Sequence, residues 1–218
     1  MSKFAMLIVT AAVCIMVVGC EEPARRFNRL GLDAYRQGNY RQAMGAFDLA
    51  VSNDPEGGDY YFNRGACRQA VGQLNEAISD YEVATKLSPA IIAAWEQMAD
   101  CYLAKGLPEQ AVSSLKASCT ANPYTARPFV AVANFYKGRG NLKDAETWLA
   151  KAVVSDPDNS EAHREYGQLL LRIGKREKGL EEYRKSLQLK PVQPGLSAEV
   201  STIAPPGDEL PPPKPFEE

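Results

Sequence analysis

Apolar and polar positions along this chain return with a step of 34 residues. Between Ile92 and Pro123, Trp95, Met98, Ala99 and Tyr102 stand at i, i+3, i+4 and i+7, which places them on one face of an α-helix. Gly106 follows where that helix must end, because a left-handed residue closes the last turn and glycine adopts it without steric cost. Pro108 then opens a second helix at its first position, where the missing N–H has no partner to lose. The second helix presents Ala111, Leu115 and Ser118 at helical spacing, and Pro123 stops it because proline cannot continue the hydrogen-bond ladder. The predicted unit is helix, turn, helix, turn.

The same unit recurs five times. Prolines stand at Pro55, Pro89, Pro123, Pro157 and Pro191, and glycines at Gly38, Gly72, Gly106, Gly140 and Gly174. In the first helix an aromatic slot reads Phe27, Tyr61, Trp95, Phe129 and His163, and a small slot four residues on reads Gly31, Gly65, Ala99, Ala133 and Gly167. In the second helix a small slot (Ala43, Ala77, Ala111, Ala145, Gly179) precedes a bulky one (Phe47, Tyr81, Leu115, Leu149, Tyr183) and a second small one (Ala50, Ala84, Ser118, Ala152, Ser186). Small residues where helices cross and bulky ones in the space between are what close packing demands.

This spacing resembles the tetratricopeptide repeat, matched in the third copy by Trp95, Met98, Ala99, Tyr102, Ala111, Leu115 and Pro123. The resemblance implies an all-α, right-handed solenoid of five helix-turn-helix repeats at 24–57, 58–91, 92–125, 126–159 and 160–191. In such arrays the first helices line a concave groove for an extended or helical peptide, through positions two, five, nine, twelve and thirteen of each unit. Carried onto this chain, the partner groove takes Asn28, Leu32, Tyr35 and Arg36 from the first copy, and Phe62 and Gln69 from the second. The third supplies Glu96, Asp100 and Leu103, the fourth Arg127, Asn134 and Lys137, and the fifth Arg164, Gln168 and Arg172. Some family members clamp a terminal carboxylate with a Lys and an Asn in the first copy. Asn28 and Leu32 occupy those places here, so that clamp is not carried over.

Two copies depart from the pattern. Arg64 and Arg68 fill slots held elsewhere by Leu30 or Met98 and by Tyr102 or Tyr136; they either snorkel to water or pair with Asp80 or Glu76 on the partner helix. In the fifth copy His163, Arg176 and Gly179 weaken the pattern, as terminal repeats often do.

Ahead of the repeats, Lys3 precedes an apolar run from Phe4 to Val18, then Gly19 and Cys20, the layout of a secretory signal at 1–19. The run is shorter than the ~20 apolar residues that a spanning helix needs. Val17-Val18-Gly19-Cys20 resembles the bacterial lipobox, which implies acylation of Cys20, a lipidated tether at 20–23 and an extracytoplasmic protein attached to a membrane. Glu21 stands where an Asp retains such proteins at the inner membrane, so the expectation is the periplasmic face of the outer membrane.

Charge changes the picture at the other end. From Ala24 to Pro191 there are 23 basic and 20 acidic side chains, whereas Val192–Glu218 has five acids against Lys214 alone. That tail holds seven prolines in 27 residues and reads as an acidic, Pro-rich disordered segment, with Leu196–Ile203 as its one candidate helix to cover the last repeat. Its acids either reach the cations Arg127, Lys137, Arg164 and Arg172 and compete with a partner, or extend freely solvated from the last repeat, since surface charge is screened within about 8 Å. A formal charge of −2 for the whole chain argues against nucleic acid as a partner.

Candidate chemistry is sparse. There is no phosphate-cradling glycine loop, no metal-ligand spacing and no serine nucleophile elbow, so no catalytic, cofactor or metal residue is assigned. His163, the one histidine, sits in an aromatic slot and is expected to be structural. Cys67, Cys101 and Cys119 are expected as three buried thiols, since an odd number cannot all pair and equivalents in successive repeats lie too far apart to bridge. The functional expectation is a lipid-anchored scaffold that binds protein partners in an envelope assembly, as in pilus or secretin biogenesis or wall-hydrolase regulation. The alternative is a self-associating structural lipoprotein; an enzyme is disfavoured.

Overall fold

The computed structural model describes residues 22–191 together with 193, 195, 196 and 202. The signal-like segment, Cys20 and most of the acidic tail lie outside the described residues. Ten helices follow one another, and among the described residues there is no strand: α1 Pro23–Arg36, α2 Tyr40–Asn53, α3 Gly58–Ala70, α4 Leu74–Leu87, α5 Ile92–Ala104, α6 Pro108–Ala121, α7 Ala126–Gly138, α8 Leu142–Ser155, α9 Ser160–Arg172 and α10 Arg176–Leu189. Each odd-numbered helix packs on the even-numbered one after it. None is long and apolar enough to cross a membrane.

The turn inside each hairpin is built in one way. Gly38, Gly72, Gly106, Gly140 and Gly174 all have φ between 73° and 80°, and no other glycine among the described residues has positive φ. The residue after each glycine donates its N–H back across the turn: Asn39 to Ala34, Gln73 to Arg68, Leu107 to Tyr102, Asn141 to Tyr136 and Lys175 to Leu170, at 2.8 to 3.0 Å. These bonds close the ends of the first helices and set the antiparallel return. Junctions between hairpins satisfy their carbonyls by side chains. Trp95 Nε1 donates to Pro89 O at 3.1 Å, and His163 Nε2 donates to Pro157 O at 2.9 Å from the same register position.

The helices fall into two compact units, Met1–Ser88 and Pro89–Glu218. In the first, α1 to α4 bury Phe47 and Tyr81 completely between paired helices. Each fully buried ring of this size contributes roughly 1.5–3 kcal/mol. In the second, Val132, Leu149, Leu169 and Tyr183 form the corresponding layers. The last hairpin is closed by the chain itself: Leu196 is buried against Leu180, Tyr183 and Leu187. The Gln193 amide donates to the backbone oxygens of Ser186 and Lys190 at 3.0 and 2.7 Å. Leu196 stands 34 residues after Ala162, so the start of the expected covering helix falls into the repeat register.

The arginines of the second copy pair; they do not extend to water. Arg64 grips Asp80 with two nitrogens at 3.1 and 2.7 Å and Asp48 with the third at 2.8 Å, while Arg68 reaches Asp80 at 2.8 Å. Asp80 is buried, so it needs these cations, and they find in it the partner that a packed hairpin would otherwise deny them. Burial pulls the Arg64 guanidinium down, but the hydrogen bonds it donates to Asp80 and Asp48 outweigh that and hold the charge firmly. Arg64 also lies over the ring of Tyr61, 5.3 Å from its centre.

Among the described residues Cys67, Cys101 and Cys119 are free and buried, as expected. Burial pushes each thiol up to about 11.

Candidate functional site

The residues assigned to the groove all fall on the first helix of their hairpins. Asn28, Leu32, Tyr35 and Arg36 lie on α1, and Phe62 and Gln69 on α3. Glu96, Asp100 and Leu103 lie on α5, Arg127, Asn134 and Lys137 on α7, and Arg164, Gln168 and Arg172 on α9. In the first unit α1 packs beside α3, and in the second α5 packs beside α7 and α7 beside α9. Each unit therefore presents a face made of first helices only.

On the first unit that face is amidic and aromatic. The Asn63 amide donates to Asn28 Oδ1 at 2.9 Å, linking α3 to α1, and the Tyr81 hydroxyl donates to Gln69 Oε1 at 2.6 Å. Phe62 leans on the buried Tyr81 ring at 5.9 Å, and Tyr35 meets Tyr40 edge to face at 5.4 Å. Arg36 is committed to Asp33 within its own helix at 3.0 Å.

On the second unit the face is a ladder of ion pairs. Arg127 of α7 holds Glu96 of α5 by two bonds at 3.0 and 2.5 Å. Lys137 of α7 meets Glu165 of α9 at 2.7 Å. Arg164 engages Glu161 through both ends of its guanidinium fork and lies 3.6 Å from Glu165. The hydrogen bond from Arg164 holds the Glu161 carboxyl below its ordinary range. Three of the four candidate cations for the acidic tail are thus already occupied by carboxylates of the same face. Exposed pairs such as Arg164–Glu161 contribute only ~0–1 kcal/mol each, so a ligand can exchange them without unfolding the array, whereas Lys137–Glu165 is part-buried. Asp100 differs: although exposed, its carboxyl is raised by partial desolvation and then by the neighbouring Glu96. Leu103 is an exposed apolar spot one turn further on.

Two partners were missed by the sequence reading, Asn63 and Glu165, both at the sixth position of their units. The signal was present, because positions two, six, nine and thirteen recur at i, i+4, i+7 and i+11 on one helical stripe. Glu165 follows Glu161 by four and precedes Gln168 by three.

His163 is buried and structural. Its Nε2 faces the Pro157 carbonyl, which can only accept, so Nε2 carries a proton; Nδ1 lies 2.5 Å from the Glu182 carboxyl. Among the described residues no group of His, Cys, Asp and Glu converges on a point that holds a metal ion.

A series of helical hairpins, each with a left-handed glycine at its inner turn, defines a helical-repeat protein. The chain belongs to the tetratricopeptide repeat family: the family profile matches residues 28–90 and 133–194, and a second profile of the same repeat matches 92–125. It is 38% identical over 77 residues to the TPR repeat-containing thioredoxin TTL4 of Arabidopsis thaliana, which covers 35% of this chain and 11% of that protein. The chain spans 11% to 17% of the curated relatives it matches. Among solved structures, PilF of Pseudomonas aeruginosa superposes with a TM-score of 0.60 at 16% identity, covering 84% of each chain. YrrB, described as a TPR protein with an unusual peptide-binding site, superposes with a TM-score of 0.52 at 18% identity, covering 83% of this chain and 93% of its own. At these identities the likeness is one of fold. Proteins of this repeat family are generally protein-interaction scaffolds.

Proposed function

We propose that this chain is a lipid-anchored scaffold that binds protein partners on its first-helix faces within a bacterial envelope assembly, such as pilus or secretin biogenesis or the regulation of wall hydrolases. The observation that carries the binding role is the face on α5, α7 and α9. Exposed ion pairs there flank the exposed Leu103 and Asp100, which suits an extended peptide with mixed charge and an apolar residue. The anchor rests on the lipobox-like Val17-Val18-Gly19-Cys20, and Glu21 supports the outer membrane over the inner. Two or three acyl chains at ~0.8 kcal/mol per buried CH₂ hold such a protein to its membrane.

The test is co-purification from detergent-solubilised envelope, comparing the full chain with Leu103→Glu and Asp100→Lys variants. Partners lost with either substitution support the groove; an unchanged partner set refutes it. Metabolic labelling with a clickable palmitate separates the anchor from the groove, since the full chain takes up label and Cys20→Ala does not. Equal labelling of both sinks the anchor.

A further inference from the structure

The second helices of the unit Pro89–Glu218 carry an aromatic residue that the repeat does not call for. Trp148 on α8 stands where the other copies hold Ala46, Asp80, Ser114 and Glu182. Its ring is half-buried, 6.2 Å from that of Phe129 on α7. Two lysines meet there. Lys151 of α8 lies 4.1 Å from the centre of the Trp148 ring, and Lys116 of α6 lies 5.8 Å from it and 5.6 Å from the ring of Tyr136. Both lysines are exposed, and among the described residues neither has a carboxylate partner. That sets them apart from Arg127, Lys137 and Arg164, which are held by carboxylates of the first-helix face. Trp148 Nε1 likewise has no acceptor among the described residues, whereas the indole of Trp95 donates to Pro89 O. A half-buried ring, an indole N–H and two cations side by side suit an acidic, proline-rich segment. Prolines pack on aromatic rings, their carbonyls accept the indole proton, and acids meet the lysines.

We infer that this surface of α6 and α8 docks the chain's own segment Pro205–Phe216, which lies outside the described residues. Its sequence has the matching chemistry. In a polyproline II conformation, with three residues per turn, Pro205, Asp208 and Pro211 line one edge and Pro206, Glu209 and Pro212 the next, so proline and acid alternate about 9 Å apart. Its attachment point is close enough. Leu196 is buried against Tyr183 of α10, and the neighbouring Glu182 holds the register position of Trp148, so the two places differ little in height along the helices. Helix α10 packs on α9 and α9 on α8, which puts the site within two helix spacings of α10, roughly 20 Å. The eight residues between Leu196 and Pro205 span up to about 26–29 Å. Tethering supplies the segment at an effective concentration on the order of millimolar, so a contact too weak to hold a free peptide still closes. The docked tail covers the second-helix side and leaves the first-helix face of α5, α7 and α9 open to a partner.

The experiment uses the full chain with Trp95→Phe, which the equivalent Phe27 and Phe129 show the slot accepts, so that Trp148 is its only tryptophan. Acrylamide quenching of Trp148 is compared with that in a chain ending at Ala204. The expected result is weaker quenching in the full chain, and recovery of that protection in the shortened chain on adding a synthetic peptide of residues 204–218. The protection is lost in high salt and lost when Asp208→Lys and Glu209→Lys are combined, a change that leaves every residue of the array in place. Lys116→Glu with Lys151→Glu gives the same loss at an unchanged melting temperature. Equal quenching of the full and shortened chains overturns the docking; if the peptide alone then protects Trp148, the surface serves a proline-rich segment of another protein. Protection that grows with protein concentration overturns it in favour of the tail of a second copy. Protection indifferent to both charge reversals overturns it as well, the tail then lying elsewhere.

Discussion

Gly31 lies so close to Phe47 that a Cβ on it would stand 2.5 Å from the ring carbon Cε1. The same relation holds between Gly65 and Tyr81, where the gap would be 2.8 Å. Wherever the bulky slot of the second helix is aromatic, as at Phe47, Tyr81 and Tyr183, the small slot facing it is glycine; where it is Leu115 or Leu149, it is Ala99 or Ala133. Ring and missing methyl are one choice made in two places. Gly31→Ala is therefore expected to lose stability, because overpacking of ~1–3 kcal/mol outweighs the ~1 kcal/mol of helix propensity that alanine brings. Adding Phe47→Leu to it should recover at least about 1 kcal/mol of coupling in a double-mutant cycle of urea unfolding. Additive effects would show that the two slots are independent.

The ion cluster of the second hairpin gives a sharper contrast. Asp80→Asn leaves two guanidinium groups without their buried counter-charge and should cost about 3–5 kcal/mol. Replacing the whole set with the residues of the third copy, Arg64→Met, Arg68→Tyr and Asp80→Ser, should cost far less or stabilise, because apolar packing substitutes for the pairs. Thermal melting of the single and triple variants decides it. A triple variant less stable than Asp80→Asn would mean that the cluster is worth more than the packing it displaces.

The hairpins, their register and the glycine turns were legible because a fixed step repeats every constraint five times. Gly106 alone could mean many things; five glycines one step apart, all at left-handed φ, mean one turn. The fate of Arg64 and Arg68 was harder, since a sequence lists departures singly while the fold pairs them. Asp80 and Glu182 occupy the same register position, and each copy that carries an acid there carries cations or histidine on the facing helix. The candidate site was legible as a stripe but not as a network. Which cation takes which carboxylate depends on how successive first helices stack, as Lys137 with Glu165 shows, and the period does not specify that.

Ser118 and Ser186 share a slot and should respond to alanine with opposite sign. Ser118 Oγ is buried without a hydrogen-bond partner, whereas Ser186 Oγ donates to Ser160 O at 2.7 Å and meets the Gln193 amide at 3.2 Å. An unmade hydrogen bond on a buried hydroxyl costs ~1–3 kcal/mol, and Ala50, Ala84 and Ala152 show that the slot accepts a methyl. Ser118→Ala should raise the melting temperature by roughly 2–4 °C and Ser186→Ala should lower it by a similar amount. The same sign for both would refute the difference between the two hydroxyls.

The buried thiols make stability depend on alkaline pH. An unfolded thiol titrates near ~8.5, while burial holds Cys67, Cys101 and Cys119 at about 11 in the folded chain. Folding thus favours the protonated form. Below the unfolded value both states keep their protons and the thiols contribute fully; above it the unfolded chain ionises first and stability falls, until the folded thiols ionise in turn. The slope is at most about 1.4 kcal/mol per thiol and pH unit. Urea unfolding should show the full chain losing stability between the two values faster than a Cys67→Ala, Cys101→Ala, Cys119→Ala variant, which keeps only the contribution of its tyrosines and lysines. The gap between the two proteins should therefore narrow as pH rises. Parallel pH curves would mean that the thiols titrate alike in both states, and that the core around them opens to hydroxide without unfolding.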